Sequence, residues 1–380
     1  MENNSISGNQ PGKRLFALDA LRGLIMILMA LDHANWFIAQ KHSTGEYWGG
    51  PYPVYNDAIT FLTRLVTHPA APGFAFLMGV GMLLFAESRK ARGWSKWEIW
   101  RHLWIRGALL IALQLLVVNR AWELSPQGWG IQIYWGVLAS LGGGMILGSL
   151  FVWLPWQALA GIAVTLFVGM EFTHPGPGQW GTLNEVPLGL LLGFSGGTQR
   201  LFSTYPILPW LELVVFGMLF GRWLLVDLKD AYRRALWLGL VFLVGFVAIR
   251  ALDGFGNIRP RMGDSWMDFL NPVKYPPAMT FTLLTMGFNL IVLWAFSGAK
   301  DKIRAFFSPL LVVGRVPLFF YIAHLGLYAL FARWLAPQGG TSIPGMIPYW
   351  ILGLLILFPL CIWYGKLKHM KPFNTVLRFF

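Results

Sequence analysis

Apolar residues run in long blocks along this chain, each closed by a cluster of charged, Gly or Pro residues. Ten such runs fall at about 18–39, 58–86, 103–119, 131–150, 154–172, 206–226, 234–252, 276–297, 308–334 and 343–364. At about 1.5 Å of rise per residue, each can cross roughly 30 Å of hydrocarbon as a helix. The pattern predicts an all-α fold, a polytopic transmembrane bundle of about ten helices. Ahead of it, residues 1–12 are polar and rich in Asn, Ser and Gly, which predicts a disordered cytoplasmic tail. Residues 13–380 then read as a single transmembrane domain. Gly217 with Gly221, and Gly144 with Gly148, have the spacing that lets membrane helices approach closely. No convincing internal repeat emerges, which argues against an inverted-repeat transporter plan.

Composition agrees with that pattern. Hydrophobic residues make up 56% of the 380 and charged residues only 12%, against about 25% charged in a soluble domain. Twenty Trp and eleven Tyr suit a chain with two membrane interfaces. The net charge of +13 would suggest nucleic acid as a partner if the chain were soluble, but its distribution points elsewhere. Nineteen Lys and Arg fall at the two ends and in the loops around Arg89–Arg106, Arg222–Arg234 and Lys300–Arg304. Eight fall in the alternate loops, and this bias predicts that both termini are cytoplasmic. The lone Cys361 excludes a disulfide framework and a cysteine metal site. The first apolar run is too long for a signal h-region and lacks a cleavage pattern, so it reads as helix one. The longer outer connections, 40–57, 173–205 and 253–275, are rich in Gly, Pro and Trp and are placed to cap a site.

Ionisable residues within the runs carry the functional information, because each costs about 2.5–3.5 kcal/mol or more at the bilayer centre. They include Arg22, Asp32, His33, Arg64, His68, Glu212, Arg315 and His324. Arg22 and His33 are eleven residues apart, so they share a helix face and are separated by about 16 Å along it. An arginine suits a phosphate or carboxylate, and a histidine suits proton transfer near neutral pH. Asp32 is offset from that face and can tie helix one to a neighbour. Arg64 and His68 share a face four residues apart, with Asp57 on the same side. Pro69 and Pro72 predict a kink or break just after His68. Within the ninth run, His324 and Arg315 read as serving different neighbours. His42 lies in the outer loop after helix one, within reach of a site, whereas His102, His174 and His369 lie in or beside loops. Histidines and carboxylates never reach metal-ligand spacing, and neither a Walker loop nor HExxH is present.

The opening Leu18-Asp19-Ala20-Leu21-Arg22-Gly23, followed by an apolar run and Asp32-His33, resembles the transmembrane acyltransferase superfamily. That superfamily includes heparan-α-glucosaminide N-acetyltransferase and bacterial O-acyltransferases of surface glycans. Thr67 to Gly79, Pro206 to Trp210, Leu270-Asn271, Lys274 to Pro277 and Gly314 to His324 are similar to motifs of bacterial relatives of the heparan enzyme. In that enzyme an asparagine stands where His33 stands here. Its active-site histidine lies in the outer loop after helix one, where His42 is a loose positional match. The resemblance implies acetyl-CoA as co-substrate, bound from the cytoplasm, and transfer to a sugar amine or hydroxyl on the far side. It also implies residence in the bacterial inner membrane.

On this reading His33 and His68 are the base candidates, meeting in one polar pocket with Asp32. Arg22, Arg64, His324 and His42 serve donor or substrate binding, the basic loops hold the CoA phosphates, and no metal takes part. A small-solute carrier using the same polar line, or a non-catalytic scaffold, are the alternatives.

Overall fold

The computed structural model describes residues 15–43, 46, 52–126, 128–173 and 186–370. The tail 1–12, His174, Lys371 and Arg378 lie outside the described residues, as does the side chain of His369. The first half of the chain forms α1 (Phe16–Ala34), α2 (Ala58–Thr67), α3 (Ala70–Lys90), α4 (Lys96–Leu113), α5 (Asn119–Glu123), α6 (Val137–Gly148) and α7 (Trp156–Gly169). The second half forms α8 (Pro187–Leu192), α9 (Ile207–Val226), α10 (Leu228–Leu252), α11 (Trp266–Phe269), α12 (Met279–Ser297), α13 (Asp301–Phe306), α14 (Ser308–Gly314), α15 (Pro317–Trp334) and α16 (Ile343–Met370).

Every apolar run is helical over most of its length, and the protein is an all-α polytopic membrane protein. Among the described residues seven helices are long and apolar enough to cross a bilayer, or eight when α14 and α15 count as one broken span. The other two runs fall on α1, which carries Asp19, Arg22 and Asp32, and on the short α6. The flanks of α10 and α16 leave Val241, Val244, Val247, Leu355 and Trp363 exposed, as surfaces that meet lipid do.

Two details depart from the sequence pattern. The fourth run begins as a strand, β1 (Ile133–Trp135), pairing in parallel with β3 (Leu201–Ser203), which pairs antiparallel with β2 (Gly196–Gly197). The ninth run is not one helix: α14 and α15 meet at 87°. Pro317 is the cause, because a proline cannot continue the hydrogen-bond ladder and disfavours helical geometry at Val316. Arg315, which caps α14, and His324, on α15, therefore lie on opposite sides of the corner.

Close backbone approach sets the frame of the site. A Cβ on Gly79 of α3 would sit 1.9 Å from the Val214 carbonyl oxygen, and one on Gly217 of α9 2.0 Å from that of Phe76. Gly23 and Gly314 do the same for α1 and α14, which draws Arg22 to the Gly314 carbonyl at 3.2 Å. The expected break after His68 is present, with α2 ending at Thr67 and α3 starting after Pro69. Asn289 of α12 donates to the Pro69 carbonyl at 2.9 Å, beside the break.

Candidate active site

Helix α1 continues beyond Ala34 as a π-helical turn, Asn35–Ala39, and ends at Gln40 in a left-handed conformation. A second π-turn, Gln114–Val118, joins α4 to α5. Such turns often occur at functional sites because they re-aim side chains. Here they bring Trp36 and Trp122 together, with ring centroids 5.4 Å apart, and Trp129 and Tyr134 extend the cluster. With Tyr205, Tyr275 and Tyr321 these rings line a cavity of about 370 Å³ whose polar wall is Asp32, His33, His42 and Glu46. Two histidines therefore face one space.

Each histidine has a distinct partner. The Nε2 of His42 lies 3.6 Å from Asp32, while its Nδ1 is 2.6 Å from the Ser43 carbonyl and so donates to it. His33 hydrogen-bonds through Nδ1 to His324 Nε2 at 2.7 Å. Asp32 also accepts from Thr67 Oγ1 at 2.8 Å and pairs with Arg64.

Arg64 is buried to 1% exposure in the middle of this wall. It pairs with Asp32 from α1 and with Glu46 from the outer loop, whose Oε1 accepts from Nε at 2.5 Å. The backbone amides of Lys274 and Tyr275 both donate to the Glu46 carbonyl at 3.2 Å, tying the third outer connection to the first. Burial would raise the Glu46 carboxyl, but the charge and hydrogen bonds of Arg64 outweigh it and hold that group well below the usual carboxylate range. Lys274 is pushed down to about 8, first by burial and then by the like charge of Arg64, with Glu46 and Asp32 opposing.

A second cavity, of about 320 Å³, lies on the other side of Tyr321 and Val137, which line both spaces. Its walls are apolar, including Met26, Met78, Met82 and Met145, and its charged groups are Arg22, Arg106, Arg315 and Lys368. Arg22 bonds to Asp19 at 2.8 Å. The eleven-residue interval on α1 thus places Arg22 in one cavity and His33 in the other.

The structure revises several sequence-based roles. His68 lines neither cavity. It is buried against Phe281, its Nδ1 has no partner among the described residues, and no contact joins it to His33. The imidazole that meets His33 is His324, which itself sits behind the wall at 0% exposure. Arg64 is likewise inside the wall, and its role as a binding residue gives way to that of an ionic pin. Periodicity and spacing do not single out Glu46 or Lys274. The signal that could have found Glu46 is physical: an arginine buried beside one aspartate needs further neutralising oxygens, and Glu46 is the carboxylate of the adjoining loop. Among the described residues no group of three His, Cys, Asp or Glu is placed to hold a metal.

A family profile, heparan-α-glucosaminide N-acetyltransferase, catalytic, matches residues 14–245, more than half of the chain. The chain belongs to that family. Its match to heparan-α-glucosaminide N-acetyltransferase of Mus musculus is 28% identical over 173 residues, 45% of this chain and 24% of the mouse protein. The match to the Homo sapiens protein is 31% identical over 129 residues, 34% of this chain and 17% of the human one. The aligned part is thus at most about a quarter of either relative. The family segment contains Arg22, Asp32, His33, His42, Glu46 and Arg64. Lys274, Arg315 and His324 lie beyond it and are supplied by the remainder of this chain.

Proposed function

We propose that this protein moves an acetyl or similar short acyl group from acyl-CoA to a sugar amine or hydroxyl across the bacterial cytoplasmic membrane. The observation that carries this reading is the pair of cavities sharing Tyr321 and Val137, one ringed by cations and the other holding two histidines. With the basic face cytoplasmic, Arg22, Arg106, Arg315 and Lys368 are available to the CoA phosphates, and the apolar walls to its pantetheine arm. The thioester then meets the histidine-lined cavity at Tyr321, whose hydroxyl makes no hydrogen bond among the described residues and can donate to the developing oxyanion. The aromatic walls suit the flat apolar faces of a sugar ring, whose reacting group lies near His42 and His33.

The chemistry is general-base acyl transfer. The acceptor nitrogen or oxygen attacks the thioester carbon and loses its proton to an imidazole. The carbon–sulfur bond then breaks, and CoA leaves as a thiolate that takes up that proton. A positioned base of this kind is worth about 10² to 10⁴ in rate. His42, oriented by its Nδ1–H on the Ser43 carbonyl and with Nε2 beside Asp32, fits the acceptor side, and His33 lies toward the donor side. The family resemblance to an enzyme with its histidine in this loop supports His42.

The test is transfer of label from isotopically labelled acetyl-CoA to a panel of amino sugars and neutral sugars by protein in liposomes. His42→Ala and His33→Ala are each expected to lower turnover by about 10²-fold or more with expression intact. His68→Ala is expected to retain turnover. Normal transfer by both of the first two variants would overturn the assignment, and failure of the parent protein to bind acetyl-CoA would overturn the donor.

A further inference from the structure

We infer that His324 is a positioning residue that fixes the tautomer of His33, so that neutral His33 presents a bare Nε2 to the cavity and meets the substrate there as a proton acceptor. The inference rests on the acyl-transfer reading for its consequence, though not for its geometry.

A backbone carbonyl sets the first hydrogen. His324 Nδ1 lies 2.9 Å from the backbone oxygen of Phe320, one turn earlier on α15. A carbonyl accepts and never donates, so Nδ1 of His324 carries the hydrogen. A neutral imidazole has one N–H, which leaves His324 Nε2 as an acceptor. That atom is 2.7 Å from His33 Nδ1, so the hydrogen between the rings belongs to His33. His33, with its single N–H committed, has an unprotonated Nε2. Two rings and one carbonyl decide three hydrogen positions.

Ring geometry supports the direction of the bond. The imidazole planes are 24° apart and the centroids 4.9 Å apart. With the bonded nitrogens 2.7 Å apart, nearly all of the centroid separation lies along the hydrogen bond. The rings therefore meet edge to edge, as an in-plane N–H···N bond requires, and not face to face. His324 is itself wedged between Phe320 and Tyr328, with centroids at 5.3 and 6.2 Å, and is fully buried. Trp122 and Tyr321 meet the His33 ring edge-on and hold its plane. His33 lines the cavity and His324 does not, so the edge left for a substrate is the one bearing Nε2. Among the described residues that nitrogen has no hydrogen-bond partner.

The consequence is a division of labour. A histidine free to exchange tautomers donates from either nitrogen and is a base for only part of the time. His33, locked, receives a proton at Nε2 and returns it from the same atom. After uptake the imidazolium keeps its Nδ1–H on His324, so the pair need not rearrange in either direction.

The test combines a direct and a kinetic readout. The chain has seven histidines, so ¹⁵N,¹³C-histidine labelling gives a spectrum that single substitutions can assign. The expected result is a His33 ring protonated at Nδ1 and bare at Nε2, with a through-bond nitrogen coupling to His324 that His324→Gln removes. In turnover, His324→Leu removes the acceptor and should lower kcat about 10- to 10³-fold with little change in acceptor KM. His324→Gln, whose side-chain oxygen can accept from Nδ1–H, should restore most of that loss. A His33 ring bare at Nδ1 overturns the inference, as does equal activity of the Leu and Gln variants. Should the Leu variant fail to fold, the parent spectrum and the Gln variant still decide. If the parent protein shows no acyl transfer at all, the proposed activity fails while the spectrum still answers the question of the tautomer.

Discussion

Replacing Arg64 by Met is the sharpest perturbation of the site wall. The guanidinium is 1% exposed and neutralises two carboxylates, Glu46 at 3% and Asp32 at 13% side-chain exposure. Removing one partner of a buried ion pair costs about 3–5 kcal/mol, because the charge left behind has neither water nor counter-ion. Protonation limits that loss. Glu46 ordinarily titrates near 4.5, so neutralising it at pH 7 costs about 3 kcal/mol at roughly 1.4 kcal/mol per pH unit. At pH 5.5 the same protonation costs about 1.4 kcal/mol. In the parent protein the lowered pKa of Glu46 stabilises the fold above its ordinary range, and that contribution fades only as pH falls through and below about 4.5. The variant lacks it. The stability gap should therefore be about 3–5 kcal/mol at pH 7 and narrow by about 2 kcal/mol by pH 5.5. Adding Glu46→Gln to Arg64→Met removes one of the stranded charges, and the double variant should be more stable than Arg64→Met alone at pH 7. Reversible unfolding in mixed micelles, followed by tryptophan fluorescence, reads all three proteins. A gap below about 1 kcal/mol at pH 7, or one that widens in acid, would refute the reasoning, and so would a double variant less stable than Arg64→Met at pH 7.

Lys274→Met tests the same wall from the other loop. With Lys274 held down near 8 against an ordinary 10.5, parent stability should rise with pH across that window by up to about 3 kcal/mol, and the variant should lose the rise. Gly79→Val should prevent α3 from seating on α9 and abolish the monodisperse peak in size-exclusion chromatography, whereas Gly81→Ala, with nothing within 4 Å, should leave it unchanged. Asn289→Leu removes one of two donors to the buried Pro69 carbonyl, which keeps the Gly73 amide, and should destabilise by about 0.5–1.5 kcal/mol in the same micelle assay.

The fold was legible because a bilayer imposes a coarse rule, that apolar runs of sufficient length become helix, and ten runs obeyed it. That rule does not encode where a run turns. Ile133–Trp135 is as apolar as the helix after it, and only its pairing with Leu201–Ser203 makes it a strand. The corner at Val316–Pro317 did carry a local signal, since the residue before a proline avoids helical geometry. Site residues were found one helix at a time. Periodicity relates residues on one helix, so it correctly put Arg22 and His33 on one line. It also grouped Arg64 with His68, although the chemistry that engages Arg64 comes from Asp32 and Glu46. His33 and His324 are 291 positions apart, and no spacing rule reaches across that interval. Burial is what could have been used further: an isolated cation in an apolar helix demands oxygens, and those oxygens had to come from elsewhere in the chain.

On the proposed reading, the two cavities also bear on how an acyl group would cross a membrane without a moving gate. Arg22 and His33 lie eleven residues apart on an unbroken stretch of α1, since the π-helical turn starts only at Asn35. That interval is about 16 Å, roughly half of the hydrocarbon thickness. The two cavities share Tyr321 and Val137 as lining, so side chains form the partition between them. On the proposed reading the donor's flexible arm, and not the protein, supplies the reach, and the acyl carbon arrives beside His33 while the nucleotide stays with the cations. An alternating-access carrier would instead need helices free to slide. Here Gly23 against Leu310, Gly314 against Asp19 and Gly79 against Val214 lock α1, α14, α3 and α9 at backbone contact, and Arg64 pins the loops above them. A frame fastened at these points suits chemistry across a thin fixed wall better than transport through a moving one.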